Sequence, residues 1–131
     1  MYMPLVQISM RNVFTSTEKK IIHNLVHESL VEALNIPTGD CNQRMMVFDE
    51  EHFMIPEGKS ERYLLIEVIL FPGHATVAKR NFYALLTASL KQVNIEKEDV
   101  TILLREPEFD NWGIQGIPGS EIAPGVTPNV W

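Results

Sequence analysis

The chain has 131 residues, 45% of them hydrophobic, and a net charge of −6. That length fits a single domain (1–131) with a real core, which excludes disorder, and the acidic balance argues against a nucleic-acid partner. No apolar run is long enough to cross a bilayer, no basic-then-apolar leader opens the sequence, and the single cysteine, Cys41, excludes an intrachain disulfide, so a cytoplasmic protein is expected.

Residues 4–10 read as a strand. Thr15 and Glu18 have capping-box spacing, and Ile21, Ile22, Leu25, Val26, Leu30, Ala33 and Leu34 follow with helical period. Asn35 and Pro37 stop that helix. Gln43 to Glu50 reads as a second strand, and 51–62 as an acidic polar loop with Pro56 and Gly58. The strongest strand signal is 63–71, broken by Pro72-Gly73. A second helix is expected from about Ala75 to Val93, with Ala78, Phe82, Leu85, Leu86, Leu90 and Val93 on one face. Val100 to Arg105 reads as the fourth strand. Residues 107–131 read as a short hairpin around Asn111-Trp112-Gly113 and a tail.

The order is β-α-β twice, over about 3–50 and 62–106. Asn35 and Asp40 recur 59 residues later as Asn94 and Asp99. At that offset Ile8 falls on Glu67, so the strand phases disagree, and a one-residue slip would repair them. Right-handed crossovers give an α+β fold, a four-stranded sheet with both helices on one face. Yet 63–71 is apolar at nearly every position, as in strands buried on both faces. A second copy of the chain is the expected cover, which makes the protein an oligomer. Ile117, Ile122, Val126, Val130 and Trp131 are apolar enough to dock on a neighbouring subunit.

This pattern, with Met3-Pro4-Leu5 opening the first strand, resembles the tautomerase superfamily, and within it the malonate semialdehyde decarboxylase branch. Other marks are Asn35-Ile36-Pro37-Thr38-Gly39-Asp40, Phe71-Pro72-Gly73, Leu104-Arg105-Glu106-Pro107 and Asn111-Trp112-Gly113. The resemblance implies a homotrimer, no metal or organic cofactor, and a catalytic amino-terminal proline. Pro4 matches that proline when Met3 is the translation start and is removed. Asp40 matches an aspartate near it. Two arginines used by the branch ahead of the second helix fall on Pro72 and His74.

The implied chemistry is keto–enol interconversion of a small anionic 2-keto acid. It needs a base, a donor for the enolate oxygen and a cation for the carboxylate. A free α-amino group titrates near neutral pH, about 7.7–8.0, which suits the base, whereas an internal proline amide has no useful basicity. Asp40 is the candidate to orient water or take a proton. His74, while protonated, or Arg105 would hold the carboxylate, with Arg11 as a further source of charge, and His74 or a backbone N–H would face the enolate oxygen. Trp112 would border the pocket.

Each residue also has a plainer reading. Pro4 can simply open a strand. Asp40 and Asp99 can share a turn role. His74 can sit at a helix start, and Trp112 can fill the core. Arg105 can pair with Glu106 or Glu108 on the surface. His23 and His27 have metal-ligand spacing but read as flank residues. The alternatives to a tautomerase are an inactive trimeric binding protein of the same fold or, ranked last for want of the arginine pair, a β-keto acid decarboxylase or hydratase.

Overall fold

The computed structural model describes residues 4–122. Met1–Met3, together with Val126, Val130 and Trp131 of the docking expectation, lie outside the described residues. In chain order the main elements are β1 (Leu5–Arg11), α1 (Ser16–Leu34), β2 (Asn42–Phe48), β3 (Leu64–Ile69), α2 (Thr76–Ser89) and β4 (Val100–Arg105). The β1–β2 and β3–β4 pairs are parallel, as β-α-β units require. The two units meet through β1 and β3, which run antiparallel, so the sheet order is β2-β1-β3-β4.

Helix α1 starts where its sequence can satisfy its first N–H groups. Thr15 accepts from the Glu18 N–H at 3.1 Å, and the Glu18 carboxylate accepts from the Thr15 N–H at 2.9 Å. The helix ends on Asn35, in the left-handed region at φ 55°. Its apolar stripe, Ile22, Leu25, Val26, Leu30 and Leu34, meets Phe82 and Leu86 of α2 over the sheet. From the sheet, Val6, Ile8 and Met10 of β1 and Leu64, Ile66 and Val68 of β3 complete this core. Burying each such aliphatic side chain contributes roughly 1.5–3 kcal/mol. Helix α2 is shorter than its periodicity suggests: from Leu90 to Val93 it tightens into a 3-10 turn that ends on Asn94, at φ 57°.

The duplication is visible in detail. Asn35 and Asn94 close the two helices with the same backbone conformation, followed by buried Ile36 and Ile95 and buried Asp40 and Asp99. The strands carry the expected one-residue slip. Asn42 and Thr101 are 59 apart, while their partners Leu5 and Leu65 are 60 apart. Val6, Ile8 and Met10 thereby match Ile66, Val68 and Leu70 as buried positions, and Gln7 matches Glu67 on the opposite face.

That opposite face carries part of its cover in the same chain. At its far end Phe53, from the loop after β2, packs edge-on against Phe48 and Tyr63. At the end where β1 begins, Phe71, Trp112 and Ile114 form a small second core over Leu5 and Ile69. The cover expected from a second copy is therefore partly internal. Met46 and Leu103, on the two edge strands, still expose about two-fifths of their area. The hairpin also lies further along than expected. Gly113–Ile114 (β5) pairs with Ile117–Pro118 (β6), and the turn is Gln115-Gly116, both at positive φ. Asn111-Trp112 instead ends a 3-10 turn and leads into β5.

Candidate active site

The sheet register decides which candidates meet. Pro4 is buried at the head of central strand β1. Its neighbour Leu5 stands opposite Asn42, at the start of β2, and Ile69, at the end of β3. Ile69 in turn stands opposite Arg105, the last residue of β4. The same end of the sheet therefore gathers Pro4, the corner before β2 with Asp40, the β3–α2 loop with His74, the β4 exit with Arg105, and Trp112. Arg11 ends at the other side of the molecule, its Nε–H donating to the Phe53 carbonyl at 2.9 Å.

Asp40 is 4% exposed, and its N–H donates to the Pro37 carbonyl at 3.0 Å, the turn that Asp99 repeats with Glu96 at 2.9 Å. Trp112 packs edge-on against Phe71, ring centres 4.8 Å apart, and donates its indole N–H to the Pro107 carbonyl at 3.2 Å. It is thus a wall of the small second core, with its polar end satisfied.

His74 and Arg105 fall on opposite sides of the sheet. Arg105 extends over the open face and donates to Glu67 at 3.0 Å. Successive strand residues alternate faces, and Glu106, next in sequence, instead receives the backbone N–H of His74 at 3.4 Å and an ion pair from Lys79 of α2. Burial lowers the pKa of His74, while the Glu106 carboxylate opposes that shift. Burial therefore works against the protonated ring that a substitute for arginine requires. The Nε2 atom of His74 is buried and has no hydrogen-bond partner among the described residues. For Glu106, burial raises the pKa, but the hydrogen bonds from Lys79 and His74 outweigh it and the net direction is down.

Sequence reasoning missed Lys79 and Glu106 as the setting of His74, and Gln7, Arg44 and Glu67 as the surroundings of Arg105. The last three, with Leu5, Ile69 and Arg105, line a cavity of about 130 Å³ on the open face. The histidines of α1 are structural. His23 Nδ1 bonds the Gln43 side chain and His27 Nε2 the Thr38 carbonyl, each at 2.7 Å. No group of metal-ligating side chains occurs among the described residues, and no described helix is long and apolar enough to cross a membrane.

The profile of the family described as "Tautomerase enzyme" matches residues 40–115, more than half of the chain. The chain belongs to the tautomerase family. The matched stretch holds Asp40, His74, Arg105 and Trp112; Pro4 precedes it. The probable tautomerase YusQ of Bacillus subtilis (strain 168) is 22% identical over 116 residues, covering 84% of this chain and 91% of that protein. A malonate semialdehyde decarboxylase inhibited by 3-bromopropiolate shares 25% identity with a TM-score of 0.76, over 82% of this chain and 86% of its own. A fused 4-OT, a symmetric trimer, shares 14% identity with a TM-score of 0.77, over 88% and 96%. At that identity the likeness to the fused 4-OT concerns the fold.

Proposed function

We propose that the protein is a cofactor-independent keto–enol tautomerase of small 2-keto acids, with Pro4 as its base when that residue is the amino terminus. The observation that carries this reading is the placement of Pro4. It is buried at the head of the central strand of a tautomerase-family sheet, and the register sets it beside the Asp40 corner, the His74 loop and the β4 exit.

A secondary amine in a buried position titrates below the solvent value of an α-amino group, because burial disfavours its cation. A neutral amine then takes the proton from C3 of the keto acid. The C–H electron pair becomes the C2=C3 bond, and the carbonyl pair moves onto oxygen. A backbone N–H beside the strand head suits that oxygen as charge develops. Arg105, with its fixed charge, is the better anchor for the carboxylate. Asp40, at the corner beside the strand head, orients water or receives the proton in transit. Trp112 and Phe71 exclude solvent, which strengthens the charges inside. The trimeric relative and the exposed Met46 and Leu103 edges support a homotrimer, and the mixed charge of the sheet end supports a small anion as substrate.

Two measurements test the proposal. Mass spectrometry of protein from its native host should find Pro4 as the first residue; an intact Met1-Tyr2 terminus removes the base. In the Pro4-terminal protein, Pro4→Ala should slow phenylpyruvate enolisation by about 10²-fold or more, and an unchanged rate would rule out the proline as base.

A further inference from the structure

The two helices begin differently. Helix α1 carries its own cap, the reciprocal bonds of Thr15 and Glu18. Helix α2 does not. Its N-cap is Ala75, whose methyl group accepts nothing, and its first turn holds no acidic residue. The loop that leads into it is also poor at holding itself. Pro72 lacks an N–H, and Gly73 sits at φ 118°, where only glycine rests without strain. Glycine has the most conformational freedom to lose on ordering, so this loop needs support from outside.

That support comes from β4. Glu106 follows its last residue and turns to the helix side of the sheet. Its Oε2 accepts the His74 N–H at 3.4 Å, and its Oε1 pairs with Lys79. His74 immediately precedes the Ala75 cap, and Lys79 is the fourth residue of α2. One carboxylate thus bridges the β4 exit, the loop and the first turn of the helix, where a negative charge complements the positive helix end. The paired side chains of Lys79 and Glu106 are 27% and 18% exposed, so solvent screens them less than a surface pair. On the strand side, the Leu70 N–H donates to the Arg105 carbonyl at 2.8 Å. The loop is therefore tied to the β4 exit at both its ends, at the end of the sheet where Pro4 lies.

We propose that Glu106 is a positioning residue for the enolisation: it replaces the missing cap of α2 and, with Lys79, holds the 72–74 loop in place beside the strand head. Glu106 acts through the loop backbone and touches no substrate. The proposal rests on the tautomerase reading above, and takes this loop as the source of the backbone N–H assigned there to the enolate oxygen.

The test uses the full chain, processed to Pro4. Amide hydrogen exchange read by mass spectrometry follows residues 70–80, and deuterium exchange at C3 of 2-oxobutyrate, followed by NMR, gives kcat and KM. Glu106→Ala should speed amide exchange over 73–79 about tenfold. It should lower kcat about tenfold or more and leave KM within about twofold, since the lost interaction is one made in the transition state. Glu106→Gln keeps an acceptor for the His74 N–H but loses the charge, and should fall between the wild type and Glu106→Ala in both readouts. Thr15→Ala is the control: it should speed amide exchange in the first turn of α1 and leave kcat unchanged.

Faster amide exchange in Glu106→Ala with an unchanged kcat would overturn the positioning role and leave the tautomerase reading standing. Unchanged amide exchange would overturn the cap itself. An equal loss of kcat in Thr15→Ala would trace both losses to general destabilisation and overturn the role as well. A wild type that does not enolise the keto acid would overturn the tautomerase reading and the positioning role with it, while amide exchange would still report the cap. Circular dichroism of each variant separates loss of fold from loss of position.

Discussion

The two halves of the molecule share a plan, and one difference between them lies at the head of the first strand. In the second half, Asp99 accepts the backbone N–H of Ser60 at 2.8 Å and its hydroxyl at 2.5 Å. Ser60 lies in the segment that leads into β3, so the corner before β4 is tied to the approach of its neighbour strand. In the first half, Asp40 holds the matching corner before β2, beside the head of β1. There the approaching residue is Pro4. One copy of the corner secures a loop, and the other lies beside the head of β1. The duplication teaches that the buried aspartate belongs to the fold first, since both corners carry it.

The comparison is broken most directly by exchanging the fates of the two aspartates. Asp99→Asn weakens two hydrogen bonds at a buried carboxylate, and a loss of about 1.5–3 kcal/mol in denaturant unfolding is expected with the enolisation rate nearly unchanged. Asp40→Asn should instead lower kcat by about tenfold or more. If both variants move stability and rate alike, the halves do not divide the work in this way.

Acid sharpens the contrast next. His74 has a folded pKa below its ordinary 6.5. Its contribution is therefore complete above that value and is lost as pH falls through the folded pKa. Glu106 and Glu18 are also depressed, from 4.5, Glu18 chiefly by the Thr15 N–H and then Arg62. Their contributions are complete above 4.5 and are lost at lower pH. Acid unfolding should thus begin with His74 and end with the carboxylates. His74→Gln should remove the upper part of the loss and leave the lower part, as read from unfolding midpoints between pH 7 and 3. A curve of unchanged shape would mean that His74 is not held neutral by its surroundings.

The smallest effects should be equal in the two halves. Asn35→Ala and Asn94→Ala each remove the short polar side chain that eases the left-handed conformation at the cap, at a cost of about 1 kcal/mol per site, and thermal unfolding should show similar losses for the two. Thr15→Ala, which removes one side of the capping box, should cost about 1 kcal/mol.

How much of this was legible in the sequence follows from the range of each interaction. The capping box, the Asn35 and Asn94 stops and the bounds of β4 rest on neighbours a few residues apart, and the sequence declares them. The strand slip was legible because the two halves can be compared with each other. The antiparallel joining of β1 to β3 was not, since nothing local sets the register between halves, and the row of Arg44, Gln7 and Glu67 depends on it. Arg105 was expected to pair with Glu106 or Glu108. Strand alternation sends Glu106 to the other side, and Glu67, 38 residues away, takes the pair. The state of His74 was hidden for the same reason, because Lys79 and Glu106 converge on it from α2 and the β4 exit.

The central claim concerns the nitrogen of Pro4. The most direct measurement compares two preparations of the full chain, one beginning at Pro4 and one retaining Met1-Tyr2-Met3, for deuterium exchange at C3 of 2-oxobutyrate. A free secondary amine in the first and an amide in the second should separate their kcat values by about 10²-fold or more. Equal rates would contradict the proposal that this proline is the base.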